Sequence, residues 1–180
     1  MSNILVIKQK EGDRIKAIMD FLKLEHNVNI VFLSMVGIKK NTSCYKNVEN
    51  LSKLCNYDII ITEGWNVARD FFPTIKRCMP DAKLIIDADL QFRCAETECQ
   101  MCSHFRVNSI EYCNINIKKY SLGETIKYRN DELEMYKVAD KCFVPSEIDK
   151  EILLKELPEI QVSVLELPIS GQIKQINLGD

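Results

Sequence analysis

Three observations predict an α/β fold. Short, nearly unbroken apolar runs recur along the chain, and the stretches between them repeat their apolar residues at helical spacing. The length is 180 residues, with 46% hydrophobic and 28% charged, which is ordinary composition for one globular domain. Strands that are apolar throughout are buried on both faces, as in a parallel sheet whose crossovers are helices. The expected architecture is a single Rossmann-like, doubly wound, mainly parallel sheet of about six strands with helices on both faces. Right-handed crossovers and the strand order 3-2-1-4-5-6 go with it. Residues 1–170 form the expected domain and 171–180 a C-terminal tail.

Each element has its own signal. Ile4 to Lys8 opens with a buried-strand run, and Ile15, Ile18, Met19 and Leu22 then share one helical face. Val28 to Leu33 is a second strand, rich in β-branched residues. Val48, Leu51 and Leu54 mark a second helical stripe. Asp58 to Thr62 is the clearest buried strand, and Trp65 to Cys78 fits a helix that Pro73 should limit or kink. Lys83 to Ile86 is the fourth strand, running into Asp87-Ala88-Asp89. A cysteine-rich loop over 94–116 has no clean period. Ser121 to Val138 reads as a helix, opened by the capping box Ser121-x-x-Glu124, with Leu122, Ile126, Leu133 and Tyr136 on its stripe. Lys141 to Val144 is the fifth strand, Ser146-x-x-Asp149 caps a helix holding Ile152, Leu153 and Leu157, and Gln161 to Leu165 closes the series.

Composition excludes some function classes. Lys plus Arg is 24 against 26 for Asp plus Glu, so the balanced chain has no global pull on nucleic acid or an anionic membrane. The first apolar run is too short for a signal peptide, and no stretch reaches the length of a membrane span. These features predict a cytoplasmic protein, where most of the eight cysteines stay reduced. The first strand-to-helix turn has Gly12 alone, so neither glycine-rich phosphate cradle can form there.

In a parallel sheet, ligands gather at the carboxyl ends of the strands. The most polar such end is Asp87-Ala88-Asp89-Leu90-Gln91-Phe92-Arg93. Its carboxylates accept hydrogen bonds, and Gln91 and Arg93 donate them, which suits sugar hydroxyls. The same aspartates can equally serve as turn caps that Arg93 neutralises. Glu63-Gly64-Trp65-Asn66 follows the third strand. Gly64 permits a sharp turn, Asn66 fits either a ligand contact or a helix cap, and Trp65 is expected in the core rather than stacked on a sugar. His26 is expected as a solvated residue at a helix end.

Cys94, Cys99, Cys102 and Cys113 lie close together with His104 among them. Four thiolates suit zinc, and the first three match part of a ferredoxin spacing, so zinc or an iron–sulfur cluster is one reading of this loop. Free thiols are the other, because no second C-x-x-C and no glycine-rich context accompany them. No metal or other cofactor is otherwise expected.

The stretch from Tyr57 to Pro168 resembles the N-terminal half of GT-B glycosyltransferases of the "glycosyl transferases group 1" type. The resemblance rests on Tyr57-Asp58-Ile59-Ile60-Ile61, then Pro80-Asp81-Ala82-Lys83-Leu84-Ile85-Ile86, then Asp87 through Arg93. After a variable loop come Arg129-x-x-Glu132-Leu133 and Ala139-Asp140-Lys141-Cys142-Phe143-Val144-Pro145-Ser146, and then Pro158 with Val162 to Pro168. It implies a domain that faces a glycan acceptor, with Asp89, Gln91 and Arg93 lining a cleft beside the reacting sugar. Many relatives carry His where Gln91 stands, and Gln cannot take up a proton. The half that binds the nucleotide-sugar, with its E-x7-E motif, has no counterpart after Leu167. The implied function is an acceptor-binding domain, inactive alone, that works with a nucleotide-sugar-binding domain or chain. Its site residues would be Asp87, Asp89, Gln91, Arg93, Glu63 and Asn66. A noncatalytic Rossmann-like ligand- or protein-binding module, and a small metal or redox protein built on the cysteines, are the alternatives.

Overall fold

In a computed structural model, the structure describes residues 1–8, 13–32, 42–88, 90, 122–166 and 178. The chain divides into two compact units, Met1–Asp89 with Met135–Asp180, and Leu90–Glu134. The sheet belongs to the first. Its strands are β1 (Asn3–Lys8), β2 (Asn27–Phe32), β3 (Ile59–Glu63), β4 (Lys83–Asp87), β5 (Lys141–Val144) and β6 (Val162–Val164). The helices among the described residues are α1 (Asp13–Leu22), α2 (Thr42–Leu54), α3 (Gly64–Cys78), α4 (Leu122–Val138) and α5 (Glu147–Glu156). All the predicted strands and helices are present, and every neighbouring strand pair is parallel. The fold is α/β and Rossmann-like.

The lateral order is β2-β1-β3-β4-β5-β6, which corrects the expected 3-2-1-4-5-6. One strand, not two, lies beyond β1, so the chain reverses direction across the sheet after β2. This is the flavodoxin-type order with one strand added. Periodicity identifies which segments are strands but carries no signal for the direction of a crossover.

Strand parity divides the core. Ile4, Val6, Ile59, Ile61, Ile85, Phe143 and Leu165 form one buried cluster with Ile15, Ile18, Met19 and Leu22 of α1. The alternate residues Leu5, Ile7, Ile60, Leu84, Ile86, Cys142 and Val144 are also buried, on the opposite face. Right-handed crossovers place α1 on one face, and α2, α3 and α5 on the other, because only the β1-to-β2 step runs in its direction. Burial on both sides is why these strands read as unbroken apolar runs.

Two helical expectations are adjusted. Pro73 lies inside α3, which continues to Cys78. The carbonyl that loses its partner belongs to Arg69, and both residues are exposed, so water can serve it. Leu54 is 82% exposed while Val48 is fully buried. At 100° per residue Leu54 sits well round the helix from Val48, beyond the edge of the buried stripe.

Candidate functional site

The parallel register brings two of the predicted site residues together. Glu63 ends β3 and Asp87 ends β4, and they are paired neighbours at the carboxyl rim of the sheet. Equal register puts both side chains on the face that α1 covers. Lys8 ends β1 one step past the Ile7–Thr62 pair and so stands level with Glu63. Lys8 is 5% exposed and Asp87 7%. Charges so buried persist only when paired.

Arg14 supplies the partner of Asp87. It stands in the first turn of α1, and its Nε donates to Asp87 Oδ1 at 2.7 Å. Its Nη1 donates to the Leu165 carbonyl just past β6, and its Nη2 is buried without a hydrogen-bond partner. Sequence reasoning missed Arg14. A cation 73 positions from Asp87 along the chain has no local signature, and it becomes relevant only once α1 lies over the sheet.

The β3-to-α3 turn explains the second motif. Gly64 has φ +80, a left-handed conformation, and a Cβ there would stand 3.0 Å from Asn66 Oδ1. Asn66 Oδ1 accepts from Val67 N at 2.9 Å, while Glu63, at the N-cap position, makes no side-chain cap. Trp65 is fully buried and is a core residue, with the Arg69 guanidinium 5.0 Å from its ring centre. His26 is half-buried, and its Nδ1 accepts from Ser2 N at 3.2 Å, so it anchors the amino end rather than standing free in solvent.

Ala88 N donates to the Phe143 carbonyl at 2.7 Å. Leu90 is buried and has φ 45, a conformation rare for a residue with a Cβ. Asp89, Gln91, Arg93, Cys94, Cys99, Cys102, His104, Cys113 and the Ser121 cap lie outside the described residues. Among the described residues, no group of three or more His, Cys, Asp and Glu is placed to hold a metal ion. Cys55, Cys78 and Cys142 there are free thiols. Burial pushes the Cys142 thiol far above its ordinary pKa, and the nearby Asp87 carboxylate acts in the same direction. Cys142 is therefore protonated and unsuited to nucleophilic work.

Two aspartates of the resembling motifs have structural duties at the opposite, amino edge of the sheet. Asp58 Oδ2 accepts from Asn3 N at 2.8 Å, and Asp140 Oδ2 accepts from Leu84 N at 2.7 Å. Asp58 N donates to the Asn3 carbonyl and Asp140 N to the Leu84 carbonyl. Each aspartate thus makes a reciprocal pair of bonds with the start of a neighbouring strand. Ser146 Oγ accepts from Asp149 N at 3.1 Å, the predicted cap of α5. Neither a scan against protein-family models nor a search of curated proteins gives a match to this chain. No helix among the described residues is long and apolar enough to cross a membrane.

Proposed function

We propose that this chain supplies a glycosyltransferase-like acceptor-binding domain that transfers no sugar without a nucleotide-sugar-binding domain or chain. The observation that carries the reading is the pairing of Glu63 with Asp87 at the carboxyl rim. It puts the two strand ends singled out from the sequence side by side, where ligands of parallel sheets bind. Acidic groups at such a rim accept hydrogen bonds from sugar hydroxyls. The left-handed Leu90 supports it, since backbone held in a sparsely populated conformation clusters at ligand sites. In this reading Asp89, Gln91 and Arg93 contact the acceptor, Asp87 shapes the rim from below, and a partner domain or chain brings the nucleotide-sugar.

The test is direct. The purified chain is mixed with nucleotide-sugars and an oligosaccharide panel, and products are read by mass spectrometry. No transfer is expected, and turnover would overturn the reading. Oligosaccharide binding is expected, weakened by Asp89→Asn and by Arg93→Ala in variants that remain folded. Binding unchanged in both would remove these residues from the site.

A second reading, a noncatalytic ligand- or protein-binding module, draws on the Arg14–Asp87 ion pair. A carboxylate already engaged inside the protein is a weaker sugar acceptor and a poorer base. Binding of a protein partner with no affinity for any oligosaccharide would favour it.

A further inference from the structure

Among the described residues the sheet ends at β6 on one side and at β2 on the other. β6 has three residues, and so short an edge offers little to pair with. β2 has six, Asn27-Val28-Asn29-Ile30-Val31-Phe32, with no charge and no proline among them. Its register with β1 is continuous, without a bulge. Charges, prolines and bulges are the usual guards of a long edge, and β2 has none of them. The register also shows which of its backbone groups are spare. Asn27 pairs with Asn3 and its N–H donates to the Ser2 carbonyl, so the odd-numbered residues of β2 turn their N–H and C=O towards β1. Val28, Ile30 and Phe32 turn theirs away from the sheet. Beside this edge lies a cleft of about 260 Å³ lined by Ile30, Val31, Asn47, Asn50, Leu51 and Leu54, all uncharged. Ile30 is 38% exposed and Leu54 82%. Spare backbone groups and exposed apolar side chains thus share one border of the molecule.

We propose that β2 is the seam of a homodimer, in which the β2 strands of two copies pair antiparallel about a two-fold axis at Ile30. Reversal about that residue puts Val28 opposite Phe32 of the second copy and Ile30 opposite its own counterpart, so each outward N–H meets an outward C=O. A second copy is the occupant that fits in full. Its edge has the same length and spacing, and an edge without charge meets itself without repulsion. Ile30 pairs with Val6 in the β1–β2 register, which puts its side chain on the face that α1 covers. Across the axis the Ile30 side chains of the two copies become cross-strand neighbours, with Cα atoms about 5.5 Å apart, and leave water together. The inference does not depend on what the rim binds.

The test uses the full chain. Sedimentation velocity over a wide range of concentration is expected to show a monomer–dimer equilibrium. Ile30→Lys sets like charges face to face at the axis, and Ile30→Pro removes an outward N–H that β1 does not use. Both are expected to raise the dimer dissociation constant by about tenfold or more, with the circular dichroism spectrum unchanged. Amide exchange in the parent gives a second readout, which stands even if a variant fails to fold. The Val28, Ile30 and Phe32 amides should exchange about tenfold more slowly in concentrated than in dilute solution, while Asn29 and Val31, bonded to β1, stay protected in both. A chain that stays monomeric at every concentration, a dimer as tight in both variants as in the parent, or outward amides whose exchange ignores concentration would each overturn the inference. So would outward amides protected only by an added extended peptide, which would give the edge to a different partner.

Discussion

Asp87 has two duties that compete. It ends β4 at the rim, and it neutralises Arg14, whose side chain is 19% exposed against 8% for Asp87. Breaking a largely buried pair leaves a stranded charge, which costs more than the pair contributes over an apolar substitute. We predict that Asp87→Ala lowers stability by about 3 kcal/mol. Adding Arg14→Met should recover a good part of that loss, a coupling that a double-mutant cycle in urea measures. Simple additivity of the two changes would show that the pair does not act as a unit. Cys142 allows a second test. The fold keeps its thiol protonated, since burial raises its pKa, while the unfolded chain ionises it near about pH 9. The stabilisation is therefore complete below that pH and declines as pH climbs above it towards the raised folded value. Urea unfolding between pH 7 and pH 10 should show the decline, and Cys142→Val should flatten it. Burial raises the Tyr57 phenol as well, so some alkaline loss should remain in that variant.

At the scale of elements, local chemistry was legible and distant chemistry was not. Ser146-x-x-Asp149 announced the start of α5, and the Ser146 hydroxyl caps it as read. Ser146→Ala should cost about 1 kcal/mol in chemical denaturation. Gly64 announced a sharp turn, and the structure gives it both a positive φ and a crowded Cβ position. Gly64→Ala is expected to lose about 1–2 kcal/mol, since alanine enters that conformation with strain. A smaller loss than an ordinary helix substitution would show that the turn relaxes. Pro73 does not end α3, because it and Arg69, whose carbonyl loses its partner, are both exposed to water. Leu54 was misleading because three apolar residues at spacing three drift round the helix. Arg14 had no local signal, since its partners Asp87 and Leu165 lie 73 and 151 positions away in the chain. Asp58 and Asp140 carry a further lesson. They looked like family motif positions, and their carboxylates tie strands together at the edge farthest from the rim.

For the whole molecule, parallel strands were legible because burial on both faces removes the alternation of polar and apolar residues. Their order was not, because it depends on where the chain turns back after β2. The reversal places β1 beside β3 within the sheet, with Lys8 and Glu63 level at their ends and Asp87 next in line. If the proposed acceptor role holds, this row at the ends of β1, β3 and β4 is where binding is read. The most direct measurement is a 15N chemical-shift titration of the intact chain with oligosaccharides from the binding panel. The account predicts shifts concentrated at Glu63, Gly64, Asn66 and Ala88, with the amino-edge signals of Asn3, Asp58 and Asp140 unmoved. Shifts gathered at that amino edge, or no shifts with any saccharide, would contradict it.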